Sequence, residues 1–272
     1  MQIEIIMSLK VVSTIFAISI IYFTIIFSSS SSAPAPASAP ASSSASLYLD
    51  SNFLFFVEAQ QPFTISDHEF HAYLEQMIGH LDASILNVQN NNSVLAVAHA
   101  LHPIEEIVDV INSRLIQTNE TLTKEFSSKL NKYVQTVRSD NLNKIVIEKR
   151  ELEKLLSNAL EQSISLEKRT NRDHILNVTA DLITIASEEY AESMSQGKII
   201  NLLEYQDGQQ FFKRAINLLD KSQAYLSEYD NNKNYLTRID DMKKGLDSKI
   251  DPSEIDMNVK DMLCEIKKGF YC

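Results

Sequence analysis

Residues 66–117 read SDHEFHAYLEQMIGHLDASILNVQNNNSVLAVAHALHPIEEIVDVINSRLIQ, and their apolar members recur at steps of three and four. That spacing belongs to helices with one dry face, not to strands. Phe70, Leu74, Met77, Ile78, Leu81 and Ile85 make the first stripe, and Val97, Leu101, Ile104, Ile107, Val108 and Ile111 the second. Ser66 and Glu69 stand at capping-box spacing, and Asn90-Asn91-Asn92-Ser93 is the turn. An antiparallel pair over about 66–88 and 94–117 is predicted. Pro103, about three turns into the second helix, should bend it and free a carbonyl.

The pattern continues along the chain. It predicts helices over about 119–138 and 141–168, from Asn171 to about 195, from Leu202 or Leu203 to Tyr229, and over about 233–247 and 252–268. After residue 65 there are only two of the six prolines, all five glycines and no tryptophan. Barrels, sandwiches and doubly wound sheets need more frequent turn-makers. The expected fold is all-α: an antiparallel bundle of seven to eight helices, or two four-helix units, over residues 66–272.

Upstream, residues 11–27 form an uncharged run of 17 after Lys10, and Ser28–Ser46 is a Ser/Ala/Pro tract. Residues 1–27 are expected to be a signal or membrane anchor, and 28–65 a disordered linker with an apolar arm at Phe53–Val57. Either reading exports the helical part, tethered to the cell membrane and facing outside the cytoplasm, or secreted after cleavage. Sequons at Asn91, Asn119 and Asn177 fit export. A formal charge of −11 repels phosphate backbones, so no nucleic-acid partner is expected. Cys264 and Cys272 lie too near the end to build a thiolate metal site and leave at most one small loop.

Five of the six histidines fall between residues 68 and 102. His99, His102 and Glu105 follow at steps of three and lie near one helix face, where imidazole and carboxylate can reach one transition-metal ion. If the hairpin turns at Asn91, His80, eleven residues before the turn, lies level with His102, eleven after it. The expected metal ligands are therefore His80, His99, His102 and Glu105. Asp67, His68, His71 and Glu75 form a further group, level with Asp109, that reads as ordinary surface or core, as does His174. A secondary acidic site is expected where Glu192 meets Glu204 and Asp207 across a turn at Gly197–Asn201. Acids at a helix start are favoured by its dipole, whereas Glu188, Glu189 and Glu192 near a helix end need another compensation, by Lys198, Lys213 and Arg214 or by a bound cation.

Tyr190-Ala191-Glu192, Gly197-Lys198-Ile199-Ile200-Asn201, Glu204-Tyr205-Gln206-Asp207 and Phe211 resemble the extracytoplasmic helical region ahead of the permease in long members of the high-affinity iron permease family. His102-Pro103-Ile104-Glu105 is similar to the His-Pro-x-x-Glu of that region and, more distantly, to the His-x-x-Glu of imelysin-type iron-uptake lipoproteins. The likeness spans about residues 66–230. The permease signature Arg-Glu-x-x-Glu is missing, since Lys154 follows Arg150-Glu151, and so is a c-type haem attachment motif. The resemblance implies an exported helical module linked with iron or another metal, without the pump.

The expected function is thus a membrane-tethered domain that binds a transition metal, iron by resemblance, and serves uptake or sensing beside a separate metal permease or electron-transfer protein. The alternative is an envelope scaffold without a metal. No enzyme is expected: the His-Glu-x-x-His string of zinc hydrolases is absent, and no Ser or Cys nucleophile has a recognisable setting.

Overall fold

The computed structural model describes residues 65–226 and 232–267, with side chains for 65–226 and 234–267. All fall within the unit Ala59–Cys272. The expected anchor at 1–27, the Ser/Ala/Pro tract, the apolar arm and Cys272 lie outside the described residues. Ile65, assigned to the linker, is buried in the first core, and its carbonyl accepts from Arg114 Nη1 at 3.2 Å.

The described residues are helical apart from turns and one short hairpin of two-residue strands. Helices are α1 (Asp67–Gln89), α2 (Ser93–His102), a π-helical turn (Pro103–Ile107), α3 (Val108–Thr118), α4 (Glu120–Arg138), α5 (Leu142–Ser163), α6 (Leu166–Arg169), α7 (Arg172–Ser193), α8 (Leu202–Lys221), α9 (Gln223–Leu226), α10 (Asn232–Asp247) and α11 (Pro252–Ile266). With α2, the π turn and α3 taken as one bent helix, the described residues hold eight long helices, as the periodicity predicts. The helix expected over 141–168 breaks at Ile164 and Ser165, and the one expected to reach Tyr229 breaks at Ser222.

Asparagine sets most of the helix starts. Asn92, Asn119, Asn141, Asn171 and Asn201 each accept backbone N–H bonds as N-caps. Each cap contributes about 1 kcal/mol by satisfying donors that the helix cannot. Ser66 and Glu69 close the reciprocal capping box of α1. Pro252 opens α11, where its missing N–H costs nothing.

Two cores result. The first joins α1 to α5 around Phe70, Met77, Leu81, Ile111, Phe126 and Tyr133. The second joins α7, α8, α10 and α11 around Ile183, Tyr190, Phe211, Phe212, Ile239 and Ile255. Helix α1 lies between them, buried on most of its circumference and packed against α2, α5, α7 and α8. Ala83, Ala96 and Ala100 let α1 and α2 approach, and Ser84 Oγ donates to Ala96 O at 2.8 Å. At Gly79 an added Cβ would lie 2.9 Å from the Phe211 ring, so the missing side chain lets α8 close on α1. At Gly208 a Cβ would meet the Ala186 carbonyl at 3.0 Å, which sets the close approach of α7 to α8. The link between those helices is a β hairpin, β1 (Met194–Ser195) with β2 (Lys198–Ile199), turning on Gln196 and Gly197, both at positive φ.

Candidate metal centre

The α1–α2 hairpin turns at Asn90–Asn92, with Asn91 in the left-handed region (φ 57°) that asparagine tolerates. This places the His80 and His102 rings 5.2 Å apart, edge to face, and those of His99 and His102 5.9 Å apart. The fourth group arrives from α8. Asp207 Oδ1 lies 2.8 Å from His80 Nδ1 and 3.1 Å from His99 Nδ1, and its Oδ2 lies 3.1 Å from His102 Nδ1. One ligand atom from each of the four lies within 4.8 Å of the others, and all four residues are buried.

Geometry and donor type fit a transition ion. Bonds of about 2.1 Å to such an ion put neighbouring ligand atoms about 3.0–3.4 Å apart, close to the N···O separations here. Three imidazoles with one carboxylate suit Zn, Fe or Cu better than Mg or Ca. His99 is also set for the task from behind. Its Nε2 lies 2.8 Å from Gln206 Oε1, an oxygen that also accepts from Asn87 Nδ2 at 2.8 Å. An oxygen acceptor there keeps a proton on His99 Nε2, so an ion that displaces the Nδ1 proton donated to Asp207 would meet the Nδ1 lone pair.

Charge in the cluster is strongly organised. Burial pushes the Asp207 carboxyl upward, yet the charge of His80 and hydrogen bonds from His102, His80 and His99 hold it well below the usual range. Burial alone would lower His102, but its bond to Asp207 and the charges of Glu106, Asp207 and Glu204 lift it to about 9. Glu106 is raised by burial and by Asp207 and Glu204, which outweigh the opposing pull of His102 and His80. Glu189 on α7 is raised far above an ordinary carboxyl by burial and by its hydrogen bond to Glu204.

The carboxylate joining the histidines is therefore Asp207, not Glu105, which is exposed. The π turn explains the difference. Val108 N–H bonds to Pro103 O, five residues back, and the wider turn carries the residue at i+4 rather than i+3 over His102. Glu106 accordingly lies 3.8 Å from both His102 Nδ1 and His80 Nε2. The secondary acidic group also divides. Asp207 belongs to the histidines, Glu204 is half-buried against Glu189, and Glu192 is exposed. Glu189 and buried Ser193, four residues apart, share the side of α7 turned to α8; Glu192 lies off it.

The His68–His71 group finds its partners on α7 and α8, not at Asp109. His68 Nδ1 pairs with Asp181 Oδ2 at 2.7 Å, His71 Nδ1 lies 3.1 Å from His174 Nε2, and Arg214 binds Glu75. Sequence reading did not single out Asn87, Glu106 or Gln206; it named Glu189 only among the acids near the helix end that need compensation, and Asp207 only in the acidic group. A signal for burying Asp207 existed: it stands four residues before Phe211 and eight before Ala215, on the dry stripe of α8.

Residues 165–271 match the family model of the iron permease-associated 4-helix bundle domain. That span holds α7, α8, α10 and α11, the helices of the second core. The matched span contains the resemblance segment Tyr190–Phe211 and supplies Asp207, Glu189 and Glu204. His80, His99 and His102 precede it. No curated protein and no solved structure matches the chain. Among the described residues no helix is long and apolar enough to cross a membrane.

Proposed function

We propose that the chain binds a transition-metal ion through His80, His99, His102 and Asp207 and serves iron uptake or sensing next to a separate permease. One observation carries this reading: three Nδ1 atoms and one carboxylate meet, buried, at the seam between the iron permease-associated bundle and the helices before it. Buried imidazoles and a carboxylate need compensation, and a shared ion supplies it. The protein acts as a carrier, not a catalyst. The exported, membrane-tethered placement rests on the apolar run at 11–27, and iron as cargo rests on the family description.

The test is titration calorimetry of the full chain with Fe(II) under anaerobic conditions, and with Zn(II) and Co(II). Binding tighter than micromolar, lost in His102→Ala and Asp207→Asn with helicity unchanged, is expected. No binding of any of the three would leave the scaffold reading, in which Asp207 accepts three imidazole hydrogen bonds and holds no ion.

A further inference from the structure

We propose that Glu106 is the residue through which a hydrated divalent cation enters and leaves the buried centre. This rests on the reading of His80, His99, His102 and Asp207 as the ligands of that ion.

The four ligands have almost no surface of their own. Their side chains are at most 9 % exposed, whereas that of Glu106, which faces two of them, is 36 % exposed. Its oxygens divide between two imidazoles: Oε2 lies 3.8 Å from His80 Nε2, and Oε1 lies 3.8 Å from His102 Nδ1. That His102 nitrogen is also the one that meets Asp207 Oδ2, at 3.1 Å. Glu106 therefore reaches a ligand atom of the centre while part of its side chain stays in water. A separation of 3.8 Å is less than twice the roughly 2.1 Å of a metal–ligand bond, so one ion can bridge Glu106 and His102 before it settles beside Asp207.

Other approaches are filled. Behind His99, Gln206 Oε1 is held by His99 Nε2 and Asn87 Nδ2, both at 2.8 Å. Beside His80, the Phe211 ring stands edge-on at 5.0 Å, close against Gly79. Among the described residues no other exposed acid pairs with any of the four ligands.

Glu106 is also able to swing. Among the described residues its carboxylate makes no hydrogen bond and no pair with Lys or Arg, and its two ion pairs are the 3.8 Å ones to His80 and His102. The π turn offers Glu106 to the histidines, while Glu105, one residue before it, is exposed and pairs with none of them.

Carrying a hydrated ion into a buried site in one step costs its water shell all at once. A rim carboxylate replaces water while the ion is still partly solvated, and its charge gathers cations at the mouth, an effect that raises association rates by about tenfold or more. Release runs through the same contact in reverse.

Stopped-flow mixing of the full chain with Co(II), followed by the visible absorption of the bound ion, tests this. A chelator chase gives the dissociation rate. In Glu106→Gln association should slow by about tenfold, and dissociation should slow with it, so that affinity changes less than either rate. Glu105→Gln removes the same charge from the same turn and should load within about twofold of the parent. No Co(II) bound by the unaltered chain overturns both the centre and its entry. Binding by the parent with an unchanged association rate in Glu106→Gln overturns the entry alone. So does equal slowing in the two variants, which would make the effect one of overall charge. Faster dissociation at an unchanged association rate, or loss of binding altogether in Glu106→Gln, would make Glu106 a permanent ligand and also overturn it.

Discussion

Helix α1 carries two histidine groups, one helical stretch apart, that the fold treats in opposite ways. At its middle His80 meets His99, His102 and Asp207, with Glu106, Glu189 and Glu204 close by, and His102 is lifted to about 9. At its start His71 meets His174, and burial with the charges of Arg169 and Arg214 drops His71 to about 4. Burial, then His71, His68 and Lys168 against the opposite pull of Asp67, likewise drops His174 to about 4. Clustering imidazoles is not enough to make a metal centre. The acids around the first group attract a cation, and the guanidinium groups beside the second repel one.

The widest separation between the groups should appear on removing the acid. Asp207→Ala leaves three buried imidazoles without their counter-charge and should cost about 3–5 kcal/mol in urea denaturation of the metal-free protein. Equal stability of variant and parent would show that Asp207 organises nothing. Arg214→Ala, at the other group, should leave metal binding untouched.

Next comes orientation. Gln206→Leu removes the acceptor that fixes the His99 proton and should weaken metal binding by about 10–100-fold while the helical signal stays constant. Unchanged affinity would mean that Nδ1 of His99 needs no such support.

Gly79→Ala sharpens the packing side of the comparison. The new methyl meets the Phe211 ring, which itself stands edge-on to His80 at 5.0 Å, so a loss of about 1–3 kcal/mol is expected together with weaker metal binding. Loss of stability with intact binding would separate Phe211 from the centre.

The smallest effect is on pH dependence. His71 faces His174 of α7, Glu75 of its own helix, Arg214 of α8 and Arg169 at the end of α6. With folded values near 4 against 6.5 unfolded, His71 and His174 take no protons in either state above about pH 6.5. Between 6.5 and 4 the unfolded chain binds protons that the folded one refuses, so stability falls as pH falls. His71→Gln should flatten that slope by up to about 1.4 kcal/mol per pH unit. A slope identical to the parent's would place the acid sensitivity elsewhere.

Local rules made the helices legible. Ser66, Pro252 and the five capping asparagines act within a turn of their own positions, and apolar periodicity marks each dry face. The pairing of His80 with His102 was legible for the same reason, because a hairpin turning at Asn91 has one register. Glu105 was misplaced because a π turn is set by how Pro103 is accommodated, which spacing alone does not reveal. Asp207, His174 and Asp181 lie more than a hundred residues from their partners on α1, and such pairings follow from how two cores pack.

X-ray absorption at the metal edge, on the full chain loaded with one equivalent of Fe(II) or Co(II), tests the buried centre most directly. Three imidazoles and a carboxylate oxygen in the inner shell are the expected result, with one imidazole contribution lost in His99→Ala. An inner shell of oxygens alone, unchanged by that substitution, would contradict it.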